Sequence, residues 1–333
     1  MFPSLPQDGD REWDEDVSRE IARSSPRAAS GVYGAVPDSP PEDKPVEDLE
    51  DEEHEIQIVP VRPQLSLAIA GFAALLCTAL IVGAQTSSPD SRTPYGIVLF
   101  GVQLLFVLAW TMAMRPPVPA LVAGVGVVAG GLATYMAVST ETARVTPLFL
   151  IALAGVLVIV GGQFAARVDR LRVRDALGSS VLIVFGVVAT ALLIVLTRRP
   201  VGTQAVVVCL AAAGFALIVA RLIDAFFPKP RIAPQVPRGA TGIIAGAMLG
   251  TLGAAALGSV LVLPFTPAKG AILGLVAAGI AVLVDLAINF TEAGRAWPGE
   301  APTFWVARHM QGPLGAFAAV APAAYLLTVF VLS

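Results

Sequence analysis

Histidine, cysteine and lysine are scarce in this sequence. His54 and His309 are isolated from each other and from any cysteine, so no histidine-based metal site is expected. Cys77 and Cys209 both lie inside apolar runs, with no paired spacing for zinc and no disulfide framework. They read as small buried hydrophobes. No phosphate-loop or dinucleotide glycine pattern follows a strand-like segment. Charge is also sparse, at 14% of residues, against about 25% in soluble domains. Three lysines stand beside nineteen arginines. With abundant Ala, Gly and Val, that bias suggests a GC-rich bacterial source.

What charge there is sits unevenly. Residues 1–64 hold seventeen acids and six bases, whereas the rest holds eight acids and sixteen bases. The first stretch is rich in Pro and Ser and carries the block EDLEDEEHE. It has too little apolar surface to offset the entropy of ordering it, and is expected to be a disordered acidic cytoplasmic tail. No basic start followed by an apolar run and a small-residue cleavage site is present, so a secretory signal is not expected. A partner-binding or phosphorylated segment is the alternative use of such a tail. No nucleic-acid partner is expected.

The whole chain is 56% hydrophobic, and the remainder concentrates its apolar residues in long runs. A spanning helix needs about 20 mostly apolar residues. Nine such runs occur, at 65–84, 95–114, 117–137, 146–166, 176–197, 203–224, 239–264, 268–290 and 313–332. The expected fold is an all-α polytopic bundle of about nine transmembrane helices. The weakest division is Met114 to Val118, where Arg115 and two prolines interrupt the apolar run.

Arginine and lysine in short loops set orientation. The loops after the even-numbered spans carry ten: Arg115, Arg167, Arg170, Arg172, Arg174, Lys229, Arg231, Arg238, Arg295 and Arg308. The odd loops carry five: Arg92, Arg144, Arg198, Arg199 and Lys269. The N-terminus is therefore expected in the cytoplasm, in a multi-pass protein of the cell (inner) membrane. Loops 225–238 and 291–312 then share the cytoplasmic side. In the seventh span Gly242, Gly246 and Gly250 recur every four residues, the pattern that lets helix backbones approach closely.

One carboxylate stands deep in an apolar run. In AILGLVAAGIAVLVDLAINF, residues 271–290, the single charge is Asp285. Residues three and four apart share a helix face. Counting back from Asp285 reaches Ala281, Ala278 and Gly274, and counting forward reaches Asn289 and Glu292. Leu275, Ile280, Leu283 and Leu286 take other faces. A small-residue stripe packs on neighbouring helices, so Asp285 is expected to point into the bundle. An acid there marks a pathway or site, or else pairs with an arginine across helices.

The last third resembles the C-terminal portion of the phosphatidate cytidylyltransferases, the CDP-diacylglycerol synthases. The resemblance rests on PKPRIAPQVPRGATGIIAGAMLGT, GAILGLVAAGIAVLVDLAINF and MQGPLGAFAAVAPAAYLL, and covers roughly 205–333. It divides the chain into the tail 1–64, N-terminal transmembrane helices 65–204 and cytidylyltransferase-like helices 205–333. That family condenses CTP with phosphatidic acid using divalent metal ions held by carboxylates at the cytoplasmic ends of its last helices. Its Gly-Asp-Leu corresponds to Val284-Asp285-Leu286, which makes Asp285 a candidate metal ligand. Where the family next has Glu-Ser and then Lys-Arg, this chain has Ile288-Asn289 and Glu292-Ala293. Of the family's His-Gly-Gly-x-x-Asp-Arg-x-Asp only Gly312 survives, with Gly315 and Ala318 at the two aspartate positions. The family's Asp-Thr-Gly-Ala-Tyr falls near Ala213 without its acid, and its Lys-rich loop is reduced to residues 237–242, where Arg238 is the one base.

The resemblance therefore implies the family fold with most metal carboxylates missing. Two magnesium ions need more than one acidic ligand, and losing several should remove most of the rate. The first expectation is a catalytically degenerate membrane protein that acts through lipid or partner binding, with no cofactor. Arg221, Lys229, Arg231 and Arg238 would then attract phosphate near the inner leaflet, unless they reflect positive-inside bias alone. The alternative is an active magnesium-dependent transferase taking phosphatidic acid and CTP, with Asp285, Glu292 and Asp224 as ligands. An unrelated transporter-like bundle is the third reading, and it would need an internal repeat or a polar path. The sequence leaves open a homodimer or another protein partner.

Overall fold

A computed structural model describes residues 60–88, 91–140, 144–166, 170–295 and 305–332. The expectation of a disordered tail falls, up to residue 59, outside the described residues. So do Asp90, Glu141, Asp169 and Glu300. Nine described helices follow one another: α1 Pro63–Gln85, α2 Thr93–Met114, α3 Pro119–Ser139, α4 Thr146–Ala165, α5 Arg170–Thr197, α6 Gly202–Phe226, α7 Ala240–Val260, α8 Pro267–Arg295 and α9 Trp305–Val331. No strand accompanies them among the described residues, and each is long and apolar enough to cross a membrane. The protein is an all-α, multi-pass membrane bundle.

The helix starts follow from local chemistry. Pro63, Pro94, Pro119 and Pro147 occupy the first or second positions of α1 to α4, where a missing N–H costs nothing and a fixed φ favours the helix. Arg115 ends α2 with a left-handed φ of 44°, and Pro116 and Pro117 keep the chain from resuming a helix at once. The break expected between Met114 and Val118 is therefore real. The start of α9 differs from expectation. The ninth apolar run spans 313–332, but the helix begins at Trp305 and contains both Pro313 and Pro322. Neighbouring helices tolerate such prolines in spanning segments by re-satisfying the freed carbonyls. The connection between α8 and α9 is correspondingly shorter than 291–312, because α8 also runs on to Arg295.

Two groups of helices build the bundle. In one, α6 packs against α1, α7 and α8. In the other, α3 packs against α2, α4 and α5. The last helix joins them, touching α1, α2, α5, α6 and α8. The sequence boundary at 204/205 falls within the first turn of α6, and packing runs across it through α1 on α6 and through α9. Burial follows position: 67% of the α6 span is buried and only 22% of α7, so α6 is the axis of its group and α7 its outer wall.

Glycine lets that wall close on the axis. A Cβ added at Gly246 or Gly250 would stand 2.5 or 2.6 Å from the Ala216 or Ala212 carbonyl oxygen of α6. The four-residue glycine spacing read from the sequence is thus a backbone-to-backbone seam. A separate polar tie holds the other group. Gln103 on α2 donates to the Val187 carbonyl at 2.9 Å and Thr190 Oγ1 at 3.0 Å on α5, and accepts from Thr134 Oγ1 on α3 at 3.0 Å.

Candidate functional site

The small stripe of α8 does what its pattern implies. Ala278, Ala281 and Asp285 are fully buried, whereas Leu275 and Leu283 are each 60% exposed. The buried acid meets two arginines. Arg221 of α6 donates from Nη2 to Asp285 Oδ1 at 2.6 Å, and Arg238 from the α6–α7 loop donates from Nη1 to Asp285 Oδ2. Arg238 also places Nε 2.9 Å from Asp224 Oδ2. The second acid accepts a further bond, from the Gly239 N–H to Oδ1 at 2.9 Å. Two cations and two anions alternate in one buried chain of contacts, Arg221–Asp285–Arg238–Asp224, whose formal charges cancel.

Each member is delivered by a different local device. Arg221 and Asp224 are three residues apart on α6, so they share a face. Arg238 is turned inward by a folded loop. There Ile232 N–H bonds to the Arg238 carbonyl at 3.2 Å, Ala240 N–H to the Pro230 carbonyl at 2.9 Å, and Val236 is wholly buried. Gly242 and Gly312 make room. A Cβ at Gly242 would sit 2.6 Å from Asp224 Oδ1, and one at Gly312 would collide with Asp285 Oδ1. That collision is a physical reason for a glycine at position 312. Asn289, one turn beyond Asp285, donates to the Asp285 carbonyl at 2.5 Å.

Burial depresses the proton affinity of Arg238, with repulsion from Arg221 adding to it, while Asp285 and Asp224 oppose both. An arginine stays protonated under any such pressure, so the loop brings a permanent cation into the bundle.

A polar recess of about 330 Å³ opens beside this cluster. Arg62 ahead of α1, Arg221, Gln235, Asn289, Glu292, Arg308 and His309 line it. Arg308 Nη2 donates to the Glu292 carbonyl at 3.3 Å across the α8–α9 connection. The recess thus combines three arginines with one acid, at the end of the bundle where α6 and α8 finish and α7 and α9 begin.

The candidate residues separate into three places. Asp285 and Asp224 meet through Arg238, and Glu292 lies in the recess. Arg221 belongs to both the cluster and the recess. Lys229 is exposed and Arg231 half-buried on the loop that carries Arg238. Among the described residues, no group of three His, Cys, Asp or Glu side chains is placed to hold a metal ion. As arranged, the donors do not fit magnesium: both Asp285 oxygens are taken by guanidinium groups, and both Asp224 oxygens face Arg238 or Gly239. The sequence reasoning allowed Asp285 an arginine partner across helices but did not identify it. It counted Arg221 and Arg238 as phosphate ligands and Asp224 and Asp285 as metal ligands. The i, i+3 spacing of Arg221 and Asp224 within an otherwise apolar run was the signal available.

No protein-family model, curated protein or solved structure matches this chain.

Proposed function

We propose that the chain is a non-catalytic, cytidylyltransferase-like membrane protein that binds an anionic lipid headgroup. The observation that carries this reading is the capture of both Asp285 oxygens by Arg221 and Arg238. In a nucleotidyltransferase those oxygens would face cations that neutralise a triphosphate. Here guanidinium groups stand in for the cations and are fixed by the fold. They supply charge balance without an exchangeable metal or an open coordination position. The acids become a structural tie between α6, the loop before α7, and α8.

The recess beside the tie supplies the binding chemistry. Arg62, Arg221 and Arg308 converge on about 330 Å³, enough for a phosphomonoester and some water. Arginine forks suit phosphate oxygens. The positive-inside count puts this end of the bundle at the cytoplasmic leaflet, where anionic lipids are plentiful. Phosphatidic acid is the headgroup that the family likeness and the recess agree on.

Two measurements test the reading. Purified protein incubated with CTP, magnesium and phosphatidic acid should give no CDP-diacylglycerol. Product that disappears in Asp285→Asn would overturn the proposal in favour of an active transferase. In vesicles of phosphatidylcholine with a minor fraction of phosphatidic acid, the wild type should enrich phosphatidic acid around itself, and Arg62→Gln/Arg308→Gln should lose that enrichment. Equal enrichment in both would remove the recess from the argument.

A further inference from the structure

A second cavity lies elsewhere, and its lining is mostly apolar. It measures about 680 Å³ and is walled by α2, α4, α5, α8 and α9. Although α5 and α8 both line it, their backbones do not approach each other closely among the described residues. The cavity is the space left between them, backed by α2 and α9. On α5 its lining runs from Gly178 to Leu192, which at 1.5 Å per residue is ~21 Å, against a hydrocarbon core of about 30 Å. One end is marked by Met114 and Thr291, the other by Val145 and Leu148. It opens sideways past Phe149, Leu182 and Phe185, which are 59%, 45% and 47% exposed.

Three occupants compete for such a space. Water needs two to four polar partners per molecule. The wall offers few: Ser179, the Trp110 indole, and Thr291, whose hydroxyl already donates to the Ile288 carbonyl at 2.8 Å. A helix of a partner or a second copy, about 10 Å across with its side chains, would need an opening along its whole length, whereas the large exposed side chains Phe149, Leu182 and Phe185 flank this one. A flexible hydrocarbon chain fits both the length and the chemistry, and the bilayer outside the opening is made of them.

We propose that the gap between α5 and α8 is a binding cavity for one hydrocarbon chain of a membrane lipid, entering from the side between Phe149, Leu182 and Phe185. The few polar side chains, Ser179 and Thr291, sit at the Met114 end, which places the lipid's polar end there. Filling the cavity restores the dispersion contacts that its walls lack. The lining face of α8 (Val284, Ala287, Ile288, Thr291) differs from the face that carries Asp285, so this inference stands apart from the charge cluster and the polar recess.

A phosphatidylcholine probe bearing a diazirine midway along one acyl chain tests it, in full-length protein reconstituted into vesicles. Photolabelling of residues 178–192 and 284–291 should exceed, several-fold per residue, that of the outward α7 face carrying Ile244, Met248 and Leu252, which also meets lipid. Ala189→Trp and Ala319→Trp, which project bulk into the gap, should cut the cavity label several-fold and leave the α7 label unchanged. Equal labelling of the two regions in the wild type would overturn the proposal, and needs no variant to fold. So would cavity labelling that survives both tryptophans in variants that keep wild-type helical circular dichroism.

Discussion

Removing Arg238 should unseat this fold more than any other single charge change. Its guanidinium is fully buried and serves two carboxylates, Asp285 through Nη1 and Asp224 through Nε. In Arg238→Gln three charges remain, Arg221, Asp285 and Asp224, with a net −1 and with Asp224 left to the Gly239 N–H alone. Breaking a buried pair by deleting one partner costs about 3–5 kcal/mol, and this change breaks two contacts at once, so the upper end of that range applies. Arg221→Gln should cost less, near the lower end, because Arg221 lines the polar recess and Asp285 keeps Arg238. Asp285→Asn falls between them. The decisive comparison is Asp285→Asn/Arg221→Gln, which leaves Arg238 and Asp224 as a neutral pair. It should be more stable than the sum of its two single changes by about 1–3 kcal/mol. Unfolding by sodium dodecyl sulfate in mixed micelles, followed by circular dichroism, gives the four free energies of that cycle. If Arg238→Gln stays within about 0.5 kcal/mol of wild type, the level of an ordinary surface change, the cluster is not a structural tie. Strict additivity in the cycle would show that Asp285 and Arg221 do not sense each other.

Other perturbations separate packing from charge. Gly246→Val puts a branched side chain where a Cβ would already lie 2.5 Å from the Ala216 carbonyl, so it should push α7 off α6 and cost about 1–3 kcal/mol in the same assay. Gly312→Ala should be similarly costly in wild type but much less so in Asp285→Ala, because the added methyl collides with the Asp285 carboxylate itself. Gln103→Leu deletes three interhelical hydrogen bonds among α2, α3 and α5; at roughly 0.6 kcal/mol each in membranes, about 2 kcal/mol should be lost. Arg198→Ala removes donors from the Ala137 carbonyl, Thr140 Oγ1 and the Thr140 carbonyl at the α3 end. Faster amide exchange over residues 137–140, with α6 unaffected, should follow.

The helices were legible because hydropathy in a membrane protein is nearly a one-variable signal: about 20 apolar residues in a row have few other fates. It failed at the N-terminus of α9, where the apolar run starts at 313 and the helix begins at Trp305. The turn ahead of that run, Trp305 to Gly312, is polar enough to have read as loop. The face of α8 was legible too, since Gly274, Ala278 and Ala281 are small for a reason that geometry confirms: Gly274 and Ala278 pack against α7. The charge cluster was not legible. Arg238 reaches Asp285 across 47 residues and Arg221 reaches it across 64. Nothing local to Asp285 says which of sixteen bases will arrive, or that a loop will turn one of them inward.

The same separation explains why residue type alone left Asp285 between a metal ion and an arginine. An acid inside a membrane-spanning run costs several kilocalories if uncompensated, and either a metal ion or an arginine can compensate it. The choice between them is made by what else converges. For Asp285 the neighbours on α6 and its following loop bring two guanidinium groups, and the second acid that a metal would need is itself held by one of them. A carboxylate pair bridged by Arg238 cannot exchange its counter-charge as a pair bridged by magnesium can, because the cation is covalently part of the chain. Nor can the pair open without leaving a net negative charge in the bundle interior. The arrangement therefore favours rigidity at the junction of α6, α7 and α8. Adjustable chemistry is left to the recess beside it, which Arg62, Arg308 and His309 line together with Arg221.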